Sequence, residues 1–366
     1  MKLITVAGAR PNFMKIAPLM RAFEKQNSER LWDNKLIDFL LVHTGQHYDV
    51  RMSEIFFQEL DISDPDINLE VGSGTHAYQT AEVIKKFEEV CLNEKPDWIV
   101  VVGDVNSTVA CSLVATKLQI KVAHVEAGLR SFDRRMPEEI NRLVTDAISD
   151  LLLSPSEDGC ENLRNEGIAD EKIKLVGNIM IDSLVHNLEK AQRCKIKEEQ
   201  SLNGSDFAYV TLHRPSNVDQ KATLEPIIDG LFALADRMKV LFPIHPRTKK
   251  MLDAFEIDYS TNPNLKIIDP IGYHDSLYLS QNAKLVVTDS GGLQEETTYF
   301  QTPCLTLRPN TERPITVTIG SNKLTTPNTL SDDIEQVLSG SAKYGQIPPL
   351  WDGKTAERIV ETILNF

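Results

Sequence analysis

Short apolar runs rich in Val, Ile and Leu recur through both halves of this chain, each closed by a small or charged residue and followed by a segment with helical hydrophobic spacing. That alternation predicts βαβ units and a parallel sheet. The clearest stretch is Trp98–Arg142, WIVVVGDVNSTVACSLVATKLQIKVAHVEAGLRSFDRRMPEEINR. Trp98–Val102 reads as a strand ending in Gly103-Asp104. Ser107-Thr108 open a helix with Val109, Leu113, Val114 and Leu118 on its apolar side, and Lys121–Val125 reads as a second strand ending in Glu126-Ala127-Gly128. Residues just past strand C-termini line the ligand crevice of an open α/β sheet, so Asp104 and Glu126 are predicted to stand together there, with Glu138 following. Arg130, Arg134, Arg135 and Arg142 are the candidate anion clamps. Each acid also has an ordinary structural reading, as a helix N-cap, a partner of a nearby Arg or part of a first helical turn. Their concentration in one segment favours a site.

The first strand, Leu3–Ala7, runs into Gly8-Ala9-Arg10-Pro11-Asn12, and Asn12 is expected to cap a helix carrying Phe13, Ile16, Ala17 and Met20. Arg10 and Lys15 oppose the positive end of that helix unless an anion is held there. Asp38–Val42 is the next expected strand, followed by helices at Met52–Glu59 and Tyr78–Val90. The loop between them, Val71-Gly72-Ser73-Gly74-Thr75-His76, is too irregular for a dinucleotide fingerprint. Strands at Leu151–Ser154 and Ile173–Val176 complete a doubly wound first domain, placed at residues 1–177.

A linker region is expected at 178–206, containing a helix at Asp182–Gln192 and the charged run KIKEEQSLNGSD. The second domain, 207–350, restarts the alternation. Strands at Phe207–Leu212, Val240–Ile244 and Lys284–Thr288 end in His213-Arg214, His245-Pro246-Arg247 and Asp289-Ser290, and a helix covers Leu224–Met238. Ser290-Gly291-Gly292 at the mouth of a helix lets backbone N–H groups approach a diphosphate, and Glu296, one turn further in, is placed to accept hydrogen bonds from a ribose diol. A glycine turn needed only for close packing is the competing reading. His213 and His245 follow strands and are candidate site residues, although a lone His is often structural. A last helix, Thr355–Leu364, lies in residues 351–366.

The 366 residues are enough for two domains of roughly 170 residues, and 41% hydrophobic with 25% charged residues is an ordinary globular composition. A formal charge of −14 argues against nucleic acid or an anionic membrane as partner and leaves room for a small phosphorylated ligand in a local basic pocket. Cys91, Cys111, Cys160, Cys194 and Cys304 are scattered, which points to neither a disulfide framework nor a zinc site. No signal-peptide pattern or membrane-length apolar run is present, so a cytoplasmic protein is expected.

GARPNFMKIAP, TGQHYD, GDVNST, HVEAGLRS, MPEEINR, VGN, HRPSN, HPR, SGGLQEE and TERP occur in the order seen in the non-hydrolysing UDP-N-acetylglucosamine 2-epimerases, and they span Met1 to about Leu324. The chain therefore resembles that family. The resemblance implies a glycosyltransferase-B-type fold, two Rossmann-like domains facing across a cleft, with the C-terminal helix crossing back to the first domain. It implies interconversion of UDP-GlcNAc and UDP-ManNAc without a cofactor or metal, through loss of the C2 proton, anti elimination of UDP, a 2-acetamidoglucal and re-addition of UDP. It also implies a homodimer. The matching acid/base positions are Asp104, Glu126 and Glu138, with His213 near the leaving diphosphate. Arg10, Lys15, Arg142 and Arg313 match basic positions near substrate, and Ser290, Gly291, Gly292 and Glu296 match the nucleotide clamp.

Two departures bear on specificity. Pro215-Ser216-Asn217 follows His213-Arg214 where many members carry Arg-Glu-Asn, and Ser276 stands where an aromatic near uracil is expected. Gln46, Arg214 and His245 match the allosteric UDP-GlcNAc site of some bacterial members, but Asp49 replaces a glutamine there and the GSGTH loop offers no matching arginine, so weak or absent substrate activation is expected. The alternatives are a 2-epimerase of a UDP-diacetamido-uronic acid, whose branch shares a GSGxHAxQT-like loop, a glycosyltransferase on the same fold, and a non-catalytic nucleotide-sugar sensor.

Overall fold

The computed structural model describes residues 1–31, 35–45 and 63–366. The expected helix at Met52–Glu59 lies outside them. The chain forms two compact units, Met1–Val185 with Pro349–Phe366, and His186–Pro348.

The first unit is built on seven parallel strands: β1 (Lys2–Ala7), β2 (Asp38–His43), β3 (Ile67–Asn68), β4 (Trp98–Val102), β5 (Lys121–Val125), β6 (Leu151–Ser154) and β7 (Ile173–Leu175), in the order β3-β2-β1-β4-β5-β6-β7. Every residue of β4 is buried, as its unbroken WIVVV run requires of a strand covered on both faces. The second unit repeats the plan with six: β8 (Phe207–Thr211), β9 (Lys239–Pro243), β10 (Leu265–Ile268), β11 (Leu285–Thr288), β12 (Cys304–Leu307) and β13 (Asn322–Thr325), in the order β10-β9-β8-β11-β12-β13. Both are doubly wound, Rossmann-like sheets.

The helices used below are α1 (Arg10–Glu29), α2 (Asn106–Lys117), α3 (Pro137–Ile148), α4 (Glu157–Asn165), α5 (Ile179–Gln192), α6 (Pro246–Ala254), α7 (Tyr273–Asn282), α8 (Gly291–Phe300) and α9 (Thr355–Asn365). The division between units falls inside α5, the helix expected within 178–206. The last helix, α9, is part of the first unit and packs on α1. Asp182 on α5 accepts the N–H groups of Thr355 (3.1 Å) and Ala356 (2.7 Å), capping α9, and Ile359, Val360 and Ile363 form its buried stripe.

In each sheet the chain first winds to one side and then the other. The reversal falls between β1 and β4 in the first unit and between β8 and β11 in the second, so the loops leaving these strands diverge and open a crevice at their C-terminal ends. Helix α1 begins three residues earlier than its sequence suggests. Asn12 is not its N-cap; its side-chain oxygen reaches back to the N–H groups of Gly8 and Ala9, both at 3.0 Å, while its amide donates to the carbonyl of Val102 (3.2 Å). One side chain thereby ties the β1 exit to the end of β4.

Candidate active site

At the β1/β4 reversal of the first unit, Asp104 leaves β4 and Glu126 leaves β5. Gly103 turns there with φ +67°, and a Cβ in its place would lie 2.8 Å from the Lys15 ammonium and 3.6 Å from Glu126 Oε2. Lys15 and Glu126, both buried, form an ion pair. Glu126 holds φ +71°, a left-handed conformation that costs a non-glycine residue on the order of 1–3 kcal/mol. Arg142, buried on α3, pairs with Asp104 on one side and with Glu139 (2.6 Å) on the other.

The structure separates the two acids that open α3. Glu139 is the buried one. It accepts the N–H groups of Ser131 and Phe132 and the Ser131 hydroxyl, all at 2.9 Å. Burial would raise its carboxyl, but the Ser131 N–H and the Arg142 guanidinium outweigh that and hold it below the ordinary glutamate value. Glu138 is half-buried and has no hydrogen-bond or ion-pair partner among the described residues. The cations also divide. Arg130 is locked to Asp146 (2.7 Å) and Glu166 (2.6 Å), Arg135 is exposed and pairs with Asp133 (2.8 Å), and Arg134 is exposed. Arg142 alone of the four contacts Asp104. The side chain of Arg10 and all of Gln46 lie outside the described residues.

In the second unit Asp289 closes β11, fully buried, and organises the β8 exit. It accepts the N–H groups of His213 (3.0 Å) and Arg214 (2.8 Å) and the Asn217 amide (3.2 Å), and it pairs with His213 Nδ1 at 2.8 Å. Burial pushes its carboxyl up, yet the His213 ring and these N–H donors bring it below the ordinary aspartate value. The bond fixes Nδ1–H on His213 and leaves Nε2 to the solvent side of an exposed ring. His245 caps α6 by accepting Arg247 N–H (3.1 Å), and its ring lies 5.8 Å from that of His213. Arg214 donates from Nε to the Asp289 carbonyl at 2.9 Å.

Ser290 precedes α8 without capping it through its side chain, so the first-turn N–H groups of the helix stay available. A Cβ at Gly292 would meet nothing within 4 Å, and one at Gly291 would only graze Arg313 and Glu312 at 3.5 Å. The protein itself does not require glycine there; the two glycines leave room beside the N–H groups. Arg313 pairs with Glu295 (2.6 Å) and Glu312 (2.7 Å), and Arg308 with Glu312 (2.8 Å). Glu296, buried behind this mouth, is pushed up to about 8 by burial and by the neighbouring charge of Glu295. Ser276 bonds the buried Tyr209 hydroxyl (2.8 Å). Sequence reasoning named the edge residues but missed those that hold them: Glu139, Asp146, Asp289 as the His213 anchor, and Arg308. Only the spacing of Glu139, Arg142 and Asp146 on one face of α3 could have signalled the first two.

Residues 29–364 match the family model described as UDP-N-acetylglucosamine 2-epimerase. The chain is 45% identical over 372 residues, 99% of each chain, to the UDP-N-acetylglucosamine 2-epimerase of Methanocaldococcus jannaschii. It superposes on the crystal structure of the M. jannaschii UDP-GlcNAc 2-epimerase in complex with UDP-GlcNAc and UDP, with a TM-score of 0.86, 44% identity and all of both chains covered. It is 40% identical over 328 residues, 88% of each, to the UDP-2,3-diacetamido-2,3-dideoxy-D-glucuronate 2-epimerase of Pseudomonas aeruginosa. The chain belongs to the UDP-N-acetylglucosamine 2-epimerase family.

Proposed function

We propose that this protein interconverts UDP-GlcNAc and UDP-ManNAc. The observation that carries the reading is the gathering of Asp104, Glu126 and Glu139 with Lys15 and Arg142 at one strand reversal. A C2–H of low acidity needs a carboxylate base on one face of the sugar and a carboxylic acid on the other. In the forward half, the C2 proton passes to a carboxylate, the C1–O bond breaks with its electron pair leaving on UDP, and a C1=C2 double bond forms. In the return half, the diphosphate oxygen re-attacks C1 while a proton is delivered to the opposite face of C2. Asp104, Glu126 and Glu138 are the acid/base set, with the faces left unassigned. His213, Arg313 and the N–H groups at Ser290-Gly291-Gly292 stabilise the departing diphosphate, and Glu296 holds the ribose.

The test is a proton NMR time course with UDP-GlcNAc in D2O and no added cofactor. Appearance of UDP-ManNAc with deuterium at C2 in both epimers supports the proposal. Release of free ManNAc and UDP overturns it in favour of hydrolysis. A second reading, epimerisation of a UDP-diacetamido-uronic acid, draws on the P. aeruginosa relative; turnover of that sugar with none of UDP-GlcNAc would establish it. We also propose that substrate activation is weak, with Arg214 anchored to Asp289 and His245 used as a helix cap. A hyperbolic rate curve on UDP-ManNAc alone supports this, and a strict need for added UDP-GlcNAc removes it.

A further inference from the structure

Behind the two acid-bearing loops of the first unit lies a buried charge cluster that the reaction scheme leaves unused. His124, on β5 two residues before Glu126, is completely buried. Its Nδ1 lies 2.6 Å from Asp146 Oδ1 and its Nε2 lies 2.8 Å from the carbonyl oxygen of Gly103, the residue before Asp104. A carbonyl oxygen only accepts, so Nε2 carries a hydrogen. Asp146 Oδ2 already takes the Gly128 N–H (3.1 Å) and the Arg130 guanidinium (2.7 Å), which keeps this group a carboxylate and makes Nδ1 a donor as well. Burial works against that charge, but the His124 ring and Arg130 overcome it and hold the Asp146 carboxyl below the ordinary aspartate value.

Arg130 also grips the exposed Glu166 through Nε (2.8 Å) and Nη2 (2.6 Å). Around Gly103 stand two further ion pairs, Lys15–Glu126 and Asp104–Arg142.

We propose that the His124–Asp146 pair is the positioning element that sets the spacing of Asp104 and Glu126. Asp146 holds the β5 exit through the Gly128 N–H, and through His124 it holds the β4 exit at Gly103 O. Both exits turn through left-handed residues, Gly103 (φ +67°), Glu126 (φ +71°) and Gly128 (φ +82°); the glycines adopt that shape freely, while Glu126 is strained and needs outside support. The pair touches neither sugar nor diphosphate in the scheme above; it acts through the two loops. This positioning role rests on the proposed function.

Two variants of the full chain, His124→Gln and Asp146→Asn, test this by the same readout, so that one failing to fold leaves the other. For each, kcat for epimerisation is expected to fall on the order of 100-fold with KM changed less than about twofold. A kcat near that of the native enzyme, or a loss confined to KM, overturns the positioning role. A native protein that epimerises nothing fails the functional proposal instead.

Discussion

The Lys15 ammonium and the Glu126 carboxylate, 111 residues apart in sequence, are bonded to each other with both side chains out of contact with water. A buried pair of this kind is costly to break from one side, because the surviving buried charge loses its counter-ion in the pair. Lys15→Met is expected to lower unfolding stability by about 3–5 kcal/mol, read by urea denaturation. Lys15→Met combined with Glu126→Gln is expected to recover much of that loss. A double variant no more stable than the single one would show that the pair is not coupled.

Glu296 sets a pH dependence of stability. Its folded-state value of about 8 lies above that of an unfolded glutamate, so the folded chain binds the extra proton. Its contribution is complete below about pH 4 and is lost as pH rises through about 8. Glu296→Gln is therefore expected to flatten the fall in urea-unfolding free energy between about pH 6 and 9 by a few kcal/mol. An unchanged slope would place the titration elsewhere.

Asp289→Asn keeps the shape of the side chain but replaces one of its two accepting oxygens by an amide NH2 donor, so that Nδ1–H of His213 and the N–H of Arg214 compete for the one that remains. The expected outcome is a fall in kcat on the order of 100-fold to 10,000-fold from misdirected His213, with the far-ultraviolet dichroism retained. Activity within threefold of the native enzyme, an order-of-magnitude bound, would remove His213 from the reaction.

Asp182 caps α9 from within a buried site, where burial pushes its carboxyl up to about 6 against the pull of the Ala356 and Thr355 N–H groups. Asp182→Ala is expected to cost about 1–2 kcal/mol, and Asp182→Asn less, since the amide oxygen still accepts. Because the folded value is raised, stability from this group is complete below about pH 4 and falls away as pH rises through about 6. Thermal melts of the three proteins across that window check both statements.

The strand exits were legible because the runs that end in them are sharply bounded: WIVVV stops at Gly103-Asp104, and KVAHV stops at Glu126. Asp104 and Glu126 could therefore be placed on one edge from hydrophobicity alone. The choice between Glu138 and Glu139 could not be made that way. Both follow Pro137 at a helix start, and their difference arises from the Ser131 and Phe132 N–H groups pointing at Glu139, a tertiary fact carried by the preceding loop. Strands β10 and β13 are harder to read because a lysine interrupts each short run, LKII and NKLT. Asn12 looked like an N-cap because that residue type usually is one; only the position of Val102 shows that it spans two loops.

The placement of α9 has a consequence for synthesis. Residues 349–366 complete the first unit, yet they are made after all of 186–348. On a ribosome the first sheet therefore waits, with the surface of α1 that α9 covers left open, while the second unit is translated and free to fold. The second unit can mature first although its sequence begins later, and chaperone demand is expected to concentrate on the first unit during that interval.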